Sequence, residues 1–396
     1  MKKIAKISLI ASLAISSTSL FAADSISDAF TNGKFKGALK SFYYAQTFDN
    51  ASGKSDSSIW ANGGLINYVT DSYNGLVLGS TFQTSHVTSK DDNSSVTKTT
   101  MDAQGSVLSE AYLQYTYGNT TLKGGRQFIS TPLLAGSGSR LIKESFEAYL
   151  LVNTDLPNTT IVAGKVTKYQ QRTDYTTTAP FTNANAQANG GPGKFEKIGT
   201  DGINTLYVKN ASIPNLNIQF QYADAVDIAQ LIYVDGKYNF GPAYLAAQYY
   251  DTNYDASTSK DSSMYGLKIG AKVMGADLFA GYTSTDDAND VVRGLGQAAY
   301  AHYTATTKTA GADAFKAGTD SWQIGAGYTF FNALKTKLRY TQFDLPTAGA
   351  DLDETTLNLE YKFNKQLSAQ VDYSILDYET NSKDATDLRT RLIYSF

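Results

Sequence analysis

Three rows of basic side chains carry the most legible chemistry in this chain. Lys335, Lys337 and Arg339 stand two residues apart, as do Arg389 and Arg391, while Lys268 and Lys272 stand four apart. On an extended backbone, even spacing puts each row on one face. Such a row offers an anion a series of weak sites. Guanidinium groups take a carboxylate through two parallel hydrogen bonds, yet no single site holds it for long. The same charges could instead neutralise acids on neighbouring segments, with Glu360, Asp372 and Asp277 as partners. At this level both readings stand.

Catalysis has little to work with. The only histidines are His86 and His302, and neither adjoins a recognisable nucleophile motif. We expect no catalytic residues. Cysteine is absent, which excludes disulfides and thiolate ligands. The run Asp286-Asp-Ala-Asn-Asp290 lacks the spacing of a calcium loop. Gly191-Pro-Gly193 and Gly325-Ala-Gly327 follow no phosphate-loop spacing. No metal and no cofactor is implied.

The elements that must position the basic rows are strands. Trp322, Ile324, Ala326, Tyr328 and Phe330 alternate with Ser321, Gln323, Gly325, Gly327 and Thr329. Leu357, Leu359, Tyr361 and Phe363 alternate with Thr356, Asn358, Glu360 and Lys362. A period of two with about ten residues per segment suits tilted strands crossing a bilayer. Near the midplane, Arg or Lys on the lipid side costs about 2–4 kcal/mol, so the basic rows must face inward. Eighteen strands are read, at 34–48, 58–70, 75–87, 106–117, 119–127, 144–154, 158–170, 203–212, 215–223, 227–238, 242–251, 262–273, 276–284, 320–331, 333–343, 354–363, 366–377 and 387–396. Their connections alternate between tight turns such as Met274–Gly275 and mostly long polar loops such as Gln171–Gly202 and Thr285–Thr319. That parity belongs to membrane barrels, with the long loops outside. We expect every second residue, all round the cylinder, to meet a hydrated bore.

Residues 1–22 read as a secretory signal peptide: Lys2, Lys3 and Lys6, an apolar stretch from Ile7 to Phe21, and a cleavage site after Ala22. Residues 23–396 then form a single barrel domain. No later run reaches the 20 or so apolar residues a transmembrane helix needs. The formal charge is −3, or −6 without the three leader lysines, which argues against nucleic acid as a partner. The 28 tyrosines suit membrane–water interfaces, where a ring meets lipid and a hydroxyl meets water. Phe396 ends the last strand in register with Leu388, Leu392 and Tyr394, the pattern read by the outer-membrane assembly machinery.

Several stretches resemble a known family. They are Lys40-Ser-Phe-Tyr-Tyr44, Trp60-Ala-Asn-Gly-Gly64, Leu108-Ser-Glu-Ala-Tyr-Leu-Gln-Tyr115, Thr121-Leu-Lys-Gly-Gly-Arg-Gln127, Thr131-Pro-Leu-Leu134, Ser139-Arg-Leu141 and Glu144-Ser-Phe146. Together they are similar to the OprD-type porins and the related major porins of Campylobacter-like bacteria. The resemblance covers about the first third of the mature chain. It implies an all-β, 18-stranded antiparallel transmembrane β-barrel in a Gram-negative outer membrane, with long extracellular loops and often trimeric. It also implies a third loop folded into the lumen, here Gln127–Lys143, bringing Arg126, Arg140, Lys143 and Glu144 to a constriction. Its tip, Ala135-Gly-Ser-Gly138, is less polar than the family's. The expected function is passive diffusion of small hydrophilic solutes and ions, with carboxylates favoured by the basic ladder. Outer-membrane lipids surround such a barrel. A surface barrel that binds partner cells through its loops is the alternative.

Overall fold

The computed structural model describes residues 23–49, 55–91, 101–173, 194–308, 312–347, 350–380 and 384–396. The expected leader, 1–22, lies outside them. Ser25 caps a one-and-a-half-turn helix, Ile26–Thr31, and the chain then enters the sheet. The strands are β1 (Lys34–Phe48), β2 (Ser57–Val69), β3 (Leu76–Lys90), β4 (Gly105–Tyr117), β5 (Thr120–Gln127) and β6 (Ser145–Asn153). Next come β7 (Thr159–Gln170), β8 (Ile203–Asn210), β9 (Leu216–Ala225), β10 (Ala229–Phe240), β11 (Ala243–Tyr254) and β12 (Ser262–Val273). The last are β13 (Ala276–Thr285), β14 (Asp320–Phe330), β15 (Leu334–Asp344), β16 (Leu352–Lys362), β17 (Leu367–Tyr378) and β18 (Ala385–Ser395).

Each strand pairs antiparallel with its neighbours in sequence. β1 pairs β18 from Ala38↔Ser395 to Phe48↔Ala385, which closes the barrel. A two-residue ladder, Glu196–Lys197, extends the sheet beside Lys168 and Tyr169 of β7. Closure leaves no unpaired edge, the condition for strands in hydrocarbon. No helix among the described residues is long and apolar enough to cross a membrane.

The alternation places side chains as the period requires. On β14, Ser321 and Gln323 are buried inside while Trp322 and Ile324 are exposed outside. Outward aromatics gather at two levels. Trp60, Tyr249, Tyr265 and Trp322 lie toward the long-loop end, and Phe35, Tyr117, Phe240, Phe330 and Phe363 toward the tight-turn end. These are the two interfacial girdles of a membrane barrel. Connections keep the expected parity, although residues 226–228 join β9 and β10 on the loop side as a short turn.

Two-residue turns between β-strands favour positive φ, which suits Asn and Gly. Met274 breaks that rule. It sits at φ 48 before Gly275 at φ 86, and it is 97% exposed. We expect Met274→Asn to stabilise the barrel by about 0.5–1 kcal/mol by matching residue to turn. A urea titration of the folded barrel in detergent, with no rise in midpoint, would show the turn to be unstrained.

The interior departs from the expected bore. Over β6–β12 the inner face carries Phe146, Val166, Tyr207, Leu231, Tyr250 and Met264, all buried. Leu133, Leu134, Leu295 and Phe315 from two loops cover them. This third of the lumen is therefore a dry core between loop and wall. The opposite arc carries more polar inward residues, such as Gln323, Thr341 and Asp372, beside two smaller apolar clusters around Phe42 and Phe343.

Candidate permeation site

Two loops occupy the lumen. Residues 128–144, between β5 and β6, cross it as a chord. At one end the Leu133 amide donates to Gln221 Oε1 of β9 (2.8 Å), and Gln221 Nε2 donates to Thr131 Oγ1 (2.9 Å). At the other end the Lys143 amide donates to Gln83 Oε1 of β3 (2.9 Å), and Gln83 Nε2 donates to the Lys143 carbonyl (3.0 Å). Lys40 Nζ of β1 donates to the Leu141 carbonyl at 3.1 Å. Buried amides that both donate and accept fix backbone position better than apolar contact does.

Residues 286–308, in the connection between β13 and β14, join this chord. Ala135 N–H donates to Leu295 O (3.0 Å), Leu295 N–H to Leu133 O (2.8 Å) and Ala298 N–H to Ala135 O (3.1 Å). Glu144, fully buried, accepts from the amides of Ser137 and Gln297, each at 2.8 Å. One carboxylate thus ties both loops. Residues 302–308 then follow the inner wall as a belt. Ala305 O accepts from Gln323 Nε2 (3.1 Å) and Arg339 Nη1 (2.7 Å). Thr307 Oγ1 accepts from Arg339 Nη2 (2.6 Å), and Thr307 O from Arg389 Nη1 (3.0 Å). The Lys308 amide donates to Glu354 Oε1 at 3.0 Å.

Chord and belt meet at Tyr44 of β1. Its ring lies 5.1 Å from the Arg389 guanidinium, 5.7 Å from Lys308 Nζ and 5.9 Å from the Arg140 guanidinium. Its hydroxyl donates to Asp387, which also pairs with Arg389 (2.8 Å) and Lys308 (3.2 Å). Arg172 Nη1 donates to Ser137 and Ser139 at the chord's tip (2.8 and 3.0 Å). Beyond the belt, toward the tight turns, the wall opens into a recess of about 530 Å³ lined by Lys268, Lys337, Phe279, Tyr244 and Asn358, with Asp277 and Glu360 also on its wall. Lys268 Nζ and Lys337 Nζ lie 4.6 and 5.0 Å from the Phe279 ring. Neither lysine has a carboxylate partner among the described residues.

Closed barrel, inward loops and cationic wall can be set against known proteins. The family model for "outer membrane porin, OprD family" matches residues 28–375. The chain belongs to the OprD family of porins. It forms an outer-membrane channel for small solutes in a Gram-negative bacterium. Solved structures agree on the fold. Acinetobacter baumannii OccAB4 is 18% identical at a TM-score of 0.76, covering 93% of this chain and 99% of that one. OccAB1 of the same organism is 15% identical at 0.77, covering 94% and 98%. Pseudomonas aeruginosa OpdK, solved with vanillate, is 15% identical at 0.73, covering 93% and 99%. No curated protein sequence matches the chain.

The porin brings most of the basic rows to the inner face, but many are paired. Lys335 pairs Glu360 (2.9 Å), Lys272 pairs Asp277 (2.7 Å) and Arg391 pairs Asp372 (2.9 Å). Arg339 is spent on the belt. Two constriction assignments need correction. Arg126 is the register partner of Glu147, on strands whose inward residues are Gln127 and Phe146. It therefore points out of the barrel, because it still belongs to β5 and obeys that strand's parity. Glu144 does not line the lumen but is buried as the loop clamp. Arg140 and Lys143 remain on the chord, with Lys143 Nζ 4.2 Å from the Phe128 ring. Sequence reading missed Lys40, Arg172 and Lys308, which lie in no row. The apolar stretch Val291–Tyr300 inside the longest loop was the available sign that this loop is packed.

Proposed function

We propose that the porin favours small carboxylate-bearing solutes, and that residues 128–144 and 302–308 narrow its lumen. One observation carries the reading: Lys268 and Lys337 flank Phe279 in a lumen recess whose two acids, Asp277 and Glu360, are already paired with Lys272 and Lys335. An aromatic or apolar carboxylate fits that set, its ring on Phe279 and its charge on the lysines. The similar OpdK structure holds vanillate, an aromatic carboxylate. The four paired cations contribute little net field, so selectivity falls to the unpaired ones. In planar bilayers we expect Lys268→Gln/Lys337→Gln to reduce anion over cation permeability by about fivefold per charge, on the scale of 1 kcal/mol for a hydrated charge contact. A reversal potential in a salt gradient identical to the wild type would remove the reading.

We further propose that Phe396 serves barrel assembly. Its amide and carbonyl bond Gly37 at 3.0 and 2.9 Å, and its ring lies over Gly37. Phe396→Ser should lower the folded fraction in the outer membrane while the same variant refolds normally in detergent. Equal membrane yields would rule this out.

A further inference from the structure

On the outer face of β5–β7, a line of charge runs across the strand ends. The register sets Arg126 opposite Glu147, Glu147 opposite Lys168, and Lys168 opposite Lys197. Lys165 lies opposite outward-facing Tyr149, one step toward the membrane. These side chains share the lipid side, because Phe146, Ala148 and Val166 of the same strands are buried inside. Four cations stand against two carboxylates: Glu147 pairs Lys168 and Asp201 pairs Lys165, each at 2.8 Å. Arg126 has no acid partner among the described residues. Its guanidinium lies 4.2 Å from the Phe195 ring and donates to the Leu108 carbonyl at 3.3 Å. Elsewhere the same rim is acidic. Outward strand-end positions there carry Asp251, Asp320, Asp353 and Asp377.

Directly on the membrane side of the basic row is an apolar groove of about 580 Å³. Leu113, Tyr115, Leu122, Tyr149 and Leu151 form its walls, and Ala163, with little side chain to fill the space, part of its floor. Leu122 precedes Arg126 by four residues, roughly 13 Å along a strand. A second groove, of about 500 Å³, lies on β12–β15 between Ile269, Leu278, Ile324 and Leu338. Its strands end at the rim in Ser284 and Asp320, not in cations. The two grooves differ in the charge above them, which identifies the occupant of the first.

We propose that the β4–β7 groove and the basic row together bind one phosphate-bearing lipid of the outer leaflet, its acyl chain in the groove and its phosphate on Arg126, Lys168 and Lys197. Any lipid-facing groove takes hydrocarbon, and dispersion favours a concave wall. The phosphate is selected by the cations, with Arg126 donating two parallel hydrogen bonds to its oxygens. A lipid with an uncharged head would leave Arg126 uncompensated.

Native mass spectrometry of the full barrel in detergent tests this, with diphosphorylated lipid A as probe and its dephosphorylated form as comparator. The wild type should retain one lipid A, at least about tenfold more tightly than the dephosphorylated form. Arg126→Gln/Lys168→Gln/Lys197→Gln should abolish that preference while both lipids still bind weakly. Ala163→Phe, which fills the groove, should weaken both. If the triple variant fails to close, Arg126→Gln alone should cut the preference about fivefold. Equal retention of the two lipids by the wild type would overturn the proposal. So would an undiminished preference in the variants, or loss of a barrel–barrel complex in place of lipid.

Discussion

Gly296→Val should open the porin. In single-channel recordings we expect a larger unitary conductance, with the wild-type level visited rarely. Gly296 has φ 95, and Gly294, two residues before it, has φ 112. A side chain in this left-handed region costs about 1–3 kcal/mol in strain alone. Space forbids it as well, since a β-carbon on Gly296 would fall within the contact radius of Ala135 O, and one on Gly294 within that of Leu133 O. Those carbonyls are the acceptors in the zipper between the two lumen loops. Relief of the clash must therefore part the strands of that zipper, losing the three backbone bonds and the Gln297 amide's bond to Glu144. At about 1 kcal/mol net per bond, four bonds shift the docked population by roughly three orders of magnitude. The barrel wall makes none of these contacts and should keep its resistance to heat. Gly294→Val should behave alike. A folded Gly296→Val barrel with wild-type conductance would mean that the zipper does not set the open width.

The two arcs of the lumen explain what was legible beforehand. On β14–β18 one face meets lipid and the other meets water, so Trp322/Gln323 and Leu357/Asn358 alternate in plain view. Strand boundaries there fall within two residues of the pattern. On β6–β12 both faces are apolar toward the loop-covered end, because Phe146, Leu231 and Tyr250 turn inward against Leu133, Leu295 and Phe315, whereas Gln221, Gln248 and Lys268 keep the polar inner face elsewhere on these strands. Binary alternation vanishes where a loop replaces water as the inner neighbour. The tight turns and loop parity still carried the topology through that region. The site was legible only where charge sat on a regular strand. Lys268 and Lys337 could be placed by parity alone. Lys308 and Arg172 could not, since loop residues have no period. Arg126 already lay within the strand read at 119–127, and its parity pointed outward; the family resemblance, which drew it into the third-loop constriction, overrode that parity.

Arg389→Gln should weaken the barrel and move its selectivity toward cations together. Arg389 is 8% exposed and its Nε holds Asp387, itself wholly buried, at 2.8 Å. Removing one partner of a buried pair costs about 3–5 kcal/mol, because the remaining charge keeps its desolvation penalty without its main compensation. Lys308 at 3.2 Å and the Tyr44 hydroxyl stay with Asp387 and should hold the loss toward the lower end. The substitution also frees the Thr307 carbonyl, one anchor of the 302–308 belt. A cation leaves the ring of charge around Tyr44 while Asp387 remains, so the ring that Lys308 and Arg140 complete loses part of its net positive charge. Two further variants separate the effects. Arg389→Lys keeps the charge but not the planar fork, and should restore ion preference without restoring heat resistance. Arg389→Gln/Asp387→Asn removes the orphaned carboxylate and restores the ring's net charge, and should recover most of the stability and of the anion preference without the Thr307 anchor. An unchanged reversal potential in folded Arg389→Gln would show that Arg389 serves only to fasten the belt.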